Sequence, residues 1–376
     1  MKNPVSSSIS SSPARQPPAR NYGVDAARIL AIVFVVLQHV VFLGGIDNCG
    51  GFVRKVPLRC LEALSQCSVD LFGLITGYVC WRATKWNVRR FASLWLQVWT
   101  TGLLVLGGLA LAGRPVSSAD WLRGLFPLVF NEYWYFTGYA VVFALMPLLN
   151  RLPARNVVSL VLFLVVSAFT FWPGGLRLLP LAKGYSAAWL VILFLFGGTL
   201  RSLASRWTVR PHSCFLFAGA MVALTVAQRL AMSAVPSLRS LFADEWTLLP
   251  YTSPTVVLTA AALLVGLSRL DVRSEAVRKA IAVLAPCAFG VYLLHVQPLF
   301  FQSVWRGSFA WLDSAPDLLL APAVVLVVLV VFLACLLVEL LRRAVVRCLS
   351  LAFGSVEELR RCQKTSSTLA GCEKLP

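Results

Sequence analysis

Charged residues are scarce in this chain of 376 residues. Asp, Glu, Lys and Arg make up 13% of the sequence, whereas hydrophobic residues make up 58%. Soluble domains usually carry about 25% charged residues. The composition therefore excludes an ordinary soluble domain and indicates an integral membrane protein that crosses the bilayer several times.

Acidic residues are the scarcer charged class. There are 16 Asp and Glu against 34 Lys and Arg, and the net charge is +18. Such an excess of positive charge also occurs in proteins that bind nucleic acid. Here the basic residues fall in short loops between apolar runs, which is typical of membrane proteins. We therefore expect the lipid bilayer, and no nucleic acid, as a partner.

Metal ligands are also few. The chain has three histidines, and its ten cysteines form no Cys-x-x-Cys pair. We expect no metal site and no permanently bound cofactor. Cys49, Cys60 and Cys67 lie in or near the first predicted outer loop, where a disulfide and free thiols both remain open.

The long apolar runs predict the fold. A helix needs about twenty residues to cross a bilayer. We predict an all-α polytopic integral membrane protein, a bundle of about ten transmembrane helices. Its spans are expected at roughly 26–45, 64–82, 94–112, 132–150, 156–173, 186–203, 213–232, 254–270, 282–302 and 318–341.

Polar segments flank this membrane domain, which covers residues 21–348. Residues 1–20 are rich in Ser, Pro and Arg and are predicted to form a disordered cytoplasmic tail. Residues 349–376 are predicted to form a second cytoplasmic tail. Because the first tail leads directly into a long span, we expect no cleavable signal peptide.

The distribution of Lys and Arg predicts the orientation. Most of them fall in the two tails and in alternate loops, so both termini are expected in the cytoplasm. This orientation places a set of ionisable and amphipathic residues from four spans at the outer half of the membrane or its outer boundary: His39, Asp70, Glu132, Trp134, Tyr135 and His295. A buried polar site requires such a convergence.

The first span carries the sharpest pattern. Arg28 and His39 are eleven residues apart, which in a helix is about three turns, roughly 16 Å, with both side chains on one face. Ionisable residues inside a span are costly and usually functional. The alternative is a histidine that forms a hydrogen bond within the bundle and serves packing alone.

Each of the other residues also has a structural interpretation. Trp134 and Tyr135 suit the aromatic belt at a membrane boundary. Asp70 suits an ion pair with a buried arginine, and His295 suits a hydrogen bond to a backbone carbonyl. Gly77, which follows Thr76, suits close packing of two helices.

Four motifs, taken in order, carry a family resemblance. They are RNYGVDAARILAIVFVVLQH with Arg28 and His39 at its characteristic spacing, SVDLFGLITGY with Thr76 where the family usually has serine, YWYFTGYAVVFALMPLLNRL, and GVYLLH. Over roughly residues 20–345 the chain resembles the membrane acyltransferase-3 family, in its surface-polysaccharide O-acyltransferase branch. We expect no hydrolase-like extracellular domain of the kind that is frequent in the family, because no loop between the predicted spans is long enough to form one.

The resemblance implies an O-acetyltransferase of the bacterial inner membrane. It would move an acetyl group from cytoplasmic acetyl-CoA to a sugar hydroxyl of a surface polysaccharide or exopolysaccharide, of which the xanthan type is one example, or of its lipid-linked precursor. A polysaccharide-synthesis complex is a further expected partner. Two alternatives remain: a transporter or flippase for a polysaccharide precursor or acylated metabolite, and a non-catalytic membrane scaffold.

The resemblance also implies roles for individual residues. Arg28 would bind a phosphate of CoA. His39 would take the proton of the sugar hydroxyl as general base, with Asp70 as a second catalytic residue. Direct transfer and an acyl-histidine relay both remain open. The acceptor would be bound by Glu132, Trp134, Tyr135 and His295.

Overall fold

The computed structural model describes residues 20–46, 52–172, 178–179, 181–235 and 247–372. Within these ranges it contains helices and turns and no strand, which confirms the predicted all-α class. The predicted disordered tail lies outside the described residues except for Arg20, and so does Cys49.

Fourteen α-helices are numbered here in chain order within the described residues. They are α1 Tyr22–Gln38, α2 Phe52–Ser65, α3 Ser68–Cys80, α4 Val88–Leu111, α5 Ser118–Leu125, α6 Trp134–Leu149, α7 Arg155–Phe171, α8 Ala187–Ala204, α9 Pro211–Ala234, α10 Pro254–Ser268, α11 Glu275–Leu284, α12 Ala288–Val296, α13 Pro298–Phe300 and α14 Asp317–Cys372. Short 3₁₀ turns occur at Ala182–Gly184, Ala285–Cys287 and Ala310–Ser314, and π-helical turns at His39–Leu43 and Phe301–Trp305.

Among the described residues, seven helical segments are long and apolar enough to cross a membrane: Tyr22–Leu43, Val56–Cys80, Val88–Leu111, Ala187–Ala204, Pro211–Ala234, Glu275–Val296 and Asp317–Leu349. Three shorter apolar helices are Trp134–Leu149, Arg155–Phe171 and Pro254–Ser268. Every predicted span therefore overlaps an apolar helical segment. The protein is an all-α polytopic membrane protein, and the number of ten crossings stays a prediction.

The ninth span differs from its predicted limits of 282–302. It starts at Glu275, because Ser274 caps the helix by accepting from the amide of Val277. It ends at Val296, because Gln297 has a non-helical ψ of 123° and Pro298 supplies no amide hydrogen. The N-terminal end of this helix therefore contains polar residues that the hydropathy pattern left outside the predicted span.

The connecting segments sort into two ends of the bundle. At the end that contains Arg28, Asn21 donates to the carbonyl of Ser268 at 2.9 Å, and Asn150 donates to that of Cys80 at 2.8 Å. Arg269 reaches the carbonyl of Ala204 at 2.8 Å. The basic segments that the sequence assigns to the cytoplasm therefore meet here. At the opposite end, Gln38 accepts a hydrogen bond from Tyr251, and Leu43 accepts one from the amide of Gly307.

Helix α1 lies between two hydrophobic cores. One core joins it to α3, α6, α8 and α10, and the other joins it to α12 and α14. On the first side, α3 and α8 approach so closely that a Cβ on Gly77 would lie 2.0 Å from the carbonyl oxygen of Phe194, and a Cβ on Gly197 would lie 2.1 Å from that of Leu74. Small residues permit this contact. Both arrangements hold α1 in the centre of the molecule.

The cysteines and the last helix complete the fold. Cys60 and Cys67 are free thiols, so these two do not form a disulfide with each other.

Helix α14 continues without a break to Cys372, so the backbone of the predicted C-terminal tail is helical to that residue.

Candidate active site

A cavity of about 1370 Å³ runs between helices α1, α3, α4, α6 and α12. Arg28 and His39 both line it, so the two side chains share the face that their spacing predicts. The cavity also reaches Arg201 on α8 and Tyr251 before α10. It thus connects the two ends of the bundle along α1.

The end of the cavity at Arg28 is strongly cationic. Its lining there includes one carboxylate, Asp25, and six basic side chains: Arg20, Arg28, Arg82, Lys85, Arg90 and Arg201. Asp25 forms ion pairs with both Arg20, at 2.6 Å, and Arg28. This pairing orients the Arg28 guanidinium and leaves a positive excess around it, which suits a ligand with several negative charges.

Tyr78 positions Arg201, the member of this cationic cluster that lies on α8. The Arg201 guanidinium donates to the Tyr78 hydroxyl at 3.2 Å and lies 4.9 Å from the centre of that ring. Tyr78 donates onward to Ser268 at 3.2 Å. A planar guanidinium held by stacking and by a hydrogen bond keeps its remaining donors available to a ligand.

His39 begins the π-helical turn that follows α1. Such turns are rare and frequently occur at functional sites. The ring is half-buried against the cavity wall, 6.0 Å from the ring of Phe301. Its Nδ1 is buried and has no hydrogen-bond partner within the part of the chain that the structure describes.

His295 lies directly behind His39, with 5.1 Å between the two ring centres. It is fully buried and is not among the residues that line the cavity. Its Nδ1 lies 2.6 Å from the carbonyl oxygen of Val291. Contact between His295 and an acceptor therefore stays a prediction, and the burial favours an indirect role.

Gln38, next to His39, is the centre of a buried hydrogen-bond network. Its amide donates to Gln66 at 2.7 Å, and its oxygen accepts from Ser68 at 3.1 Å and from Tyr251 at 3.2 Å. Tyr251 in turn accepts from Tyr185 at 3.4 Å. The network ties the end of α1 to α3 and to the segment before α10, and so fixes the position of the His39 backbone.

Aromatic residues dominate the cavity near this end of α1. The Trp134 ring lies 5.0 Å from that of Tyr185 and 5.7 Å from that of Tyr135. Glu132, half-buried, precedes them and also lines the cavity. Aromatic faces beside a carboxylate are suited to a ligand that has both apolar faces and hydroxyl groups.

Asp70 lies apart from the cavity. It is fully buried, and its Oδ1 accepts a hydrogen bond of 2.9 Å from the indole of Trp189 on α8. The alternative interpretation of Asp70, an ion pair with a buried arginine, is not found among the described residues. The buried arginine Arg229 instead pairs with Glu62 at 2.5 Å, and Arg59 pairs with the same carboxylate at 2.7 Å.

Comparison with known families decides the class of the protein. A family model described as an acyltransferase domain matches residues 21–340, which is most of the chain. The chain belongs to the acyltransferase-3 family. Neither a curated relative nor a solved structure matches it significantly. The protein is therefore a membrane acyltransferase, and the cavity along α1 is its candidate active site.

Sequence motifs identified only part of this acyltransferase site. Arg28 and His39 stand out because they are ionisable residues in an apolar helix. Arg90, Arg201, Tyr185 and Tyr251 lie outside the motifs, and Gln38 lies within the first motif but was not identified as a site residue. These residues lie at helix ends or in connecting segments, where a polar residue is ordinary, and only the fold brings them to the cavity.

Proposed function

We propose that this acyltransferase is an O-acetyltransferase of the bacterial inner membrane with both termini in the cytoplasm. Its donor is cytoplasmic acetyl-CoA, and its acceptor is a sugar hydroxyl of a surface polysaccharide or exopolysaccharide, such as one of the xanthan type, or of the lipid-linked precursor. One observation carries the proposal: a single cavity has a cationic end, an aromatic end, and His39 on the wall between the ends.

The cationic end supports an acyl-CoA donor. CoA carries its phosphates at one end and its thioester at the end of a long, thin pantetheine arm. Arg28, Arg90 and Arg201 supply planar forks that bind phosphate oxygens in pairs. The spacing of roughly 16 Å along α1 from Arg28 to His39 is comparable with the length of the arm. The thioester then lies beside the imidazole while the phosphates remain at the mouth.

The aromatic end supports a carbohydrate acceptor. The faces of Trp134, Tyr135 and Tyr185 match the apolar face of a sugar ring, and the Glu132 carboxylate accepts hydrogen bonds from its hydroxyls. These groups hold one hydroxyl close to His39, so the reaction between donor and acceptor becomes effectively intramolecular.

The transfer step follows from these positions. His39 removes the proton from the attacking hydroxyl while the hydroxyl oxygen bonds to the thioester carbonyl carbon. The carbon–sulfur bond then breaks, and the imidazolium returns the proton to the thiolate that leaves. The products are an O-acetyl sugar and CoA with a free thiol. An acyl-histidine relay forms the same products in two steps through acetyl bound to His39.

Chemical analysis of the surface polymer tests the proposal. A strain that lacks the gene should export a normal amount of polymer without O-acetyl groups, as measured by NMR. Complementation with the wild-type gene should restore the acetyl signals, and the His39→Ala variant at equal expression should not. Polymer that stays inside the deletion strain would instead support the transporter alternative. Purified protein with acetyl-CoA and the polymer precursor should release free CoA thiol and O-acetyl product in equal amounts.

A further inference from the structure

Two buried ring nitrogens without partners lie on adjacent histidines. They are Nδ1 of His39 and Nε2 of His295, and neither has a hydrogen-bond partner among the described residues. The ring centres are 5.1 Å apart, with an angle of 53° between the ring planes. Buried polar groups are nearly always paired, so two such atoms on neighbouring rings require an explanation.

The hydrogen bond at the other nitrogen of His295 determines its tautomer. Nδ1 lies 2.6 Å from the carbonyl oxygen of Val291, and a carbonyl oxygen only accepts. Nδ1 therefore carries the hydrogen of the neutral ring. Nε2 is then left with a lone pair, which makes it an acceptor inside the protein.

We propose that His295 is a positioning residue, whose Nε2 accepts a hydrogen bond from Nδ1–H of His39, directly or through one water. This bond fixes the hydrogen of His39 on Nδ1 and leaves the Nε2 lone pair of His39 directed to the cavity. In that tautomer the nitrogen facing the substrate is able to take a proton. The inference rests on the proposed function only in giving His39 the role of base.

This arrangement has a known physical logic. In the Ser-His-Asp triad, a buried acceptor behind the histidine holds the productive tautomer and stabilises the imidazolium that forms. His295 offers a neutral acceptor in the same position relative to the base. It lies behind His39, fully buried and outside the cavity lining, so it does this without touching the substrate.

The indole of Trp305 is a second possible hydrogen-bond donor to Nε2 of His295 and competes with Nδ1–H of His39. Its Nε1 is also buried without a partner in the described structure, and its ring centre lies 6.3 Å from that of His295. An indole nitrogen only donates, and the single lone pair of Nε2 accepts one hydrogen. The shorter distance to His39 favours His39 as the donor, and the substitution Trp305→Phe separates the two assignments.

The chain has only three histidines, which makes the tautomer measurable in the full-length protein. The protein is labelled with ¹⁵N-histidine and studied in lipid bilayers by solid-state NMR, with exposed His212 as an internal reference. We expect hydrogen on Nδ1 of His39 in the wild type. His295→Met, similar in volume but without a strong acceptor, should lose this tautomer, whereas His295→Gln, whose amide oxygen reaches about as far as Nε2, should keep it.

Kinetics provide a second measurement. His295→Met should lower kcat at least about tenfold with little change in the KM for acetyl-CoA, and His295→Gln should recover much of that loss. Trp305→Phe should leave the His39 tautomer as it is. The proposal is overturned by hydrogen on Nε2 of His39 in the wild type, by equal spectra for the Met and wild-type proteins, or by a changed His39 tautomer in Trp305→Phe. If the spectra show the expected His39 tautomers but the protein transfers no acetyl group, the proposed function is wrong and the positioning role of His295 stands.

Discussion

Asp70 of α3 and Trp189 of α8 are joined by a hydrogen bond of 2.9 Å, and both side chains are fully buried. The bond joins the same two helices that Gly77 and Gly197 allow to approach closely. A catalytic role for Asp70 stays a prediction. Asp70 does not line the cavity. Its hydrogen bond to the Trp189 indole therefore indicates a structural role, in which it holds α3 against α8.

Substitution of Asp70 distinguishes these two roles. Asp70→Asn keeps an oxygen that accepts from the indole, so folding should be nearly normal. Asp70→Leu leaves the buried indole hydrogen without a partner, which costs about 1–3 kcal/mol of unfolding free energy. Thermal unfolding in detergent and kcat are measured for both variants. If Asp70→Asn unfolds normally but loses most of its kcat, the carboxylate has a catalytic role.

Substitution of His39 tests the proposed base. His39→Gln keeps a polar side chain of similar size and should lower kcat by roughly 10²- to 10⁴-fold, with little change in the KM for acetyl-CoA. A variant in which Gln38 and His39 are exchanged would be a poor control. Gln38 itself forms hydrogen bonds with Gln66, Ser68 and Tyr251, and the exchange would break them. Near-normal acetylation by His39→Gln at matched expression would return His39 to a packing role.

The sequence predicts features that repeat along one helix. The all-α class, the positions of the apolar helices and the shared face of Arg28 and His39 all follow from local periodicity. Asn21 also acts as the N-cap of α1, a local interaction within three residues. These features depend on near neighbours in the chain, which the sequence displays directly.

Pairings between segments that are distant in the chain could not be predicted from local sequence patterns. Gln38 and Tyr251 are 213 residues apart, and Glu62 and Arg229 are 167 residues apart. The burial of His295 behind His39 depends on how α12 packs against α1, which no local pattern specifies. The predicted depth in the membrane put His39, Asp70 and His295 at one level but did not determine which of them face the cavity.

Arg28 is expected to act in donor binding. Arg28→Lys keeps the positive charge beside Asp25 but loses the fork that binds two phosphate oxygens. The KM for acetyl-CoA should rise about tenfold, as expected for the loss of one charge-assisted hydrogen bond, while kcat changes little. Arg273→Lys is the matched control, because Arg273 is exposed, pairs with Asp271 at 3.0 Å and lies outside the cavity. A larger effect on kcat than on KM would contradict a role limited to binding.

Labelling of single cysteines tests the orientation. The ten native cysteines are first replaced, since Cys60 and Cys348 are exposed and would react themselves. A cysteine at Ser118, exposed at the start of α5, should react with a membrane-impermeant thiol reagent in intact cells. A cysteine at Trp86, on the loop between α3 and α4, should react only after the cells are opened. The reverse pattern would place the cationic mouth outside the cell and remove cytoplasmic acetyl-CoA as the donor.

Glu132 gives the acceptor site a pH dependence. Burial raises the pKa of the Glu132 carboxyl above its ordinary value, although the positive charge of Arg123 opposes this shift. The carboxylate that accepts hydrogen bonds from sugar hydroxyls is therefore lost at a higher pH than for an exposed glutamate. As the pH falls through that raised pKa, the KM for the acceptor should increase while the KM for acetyl-CoA remains constant. Glu132→Gln should show a raised acceptor KM without this pH dependence, and an unchanged profile in that variant would remove Glu132 from the acceptor site.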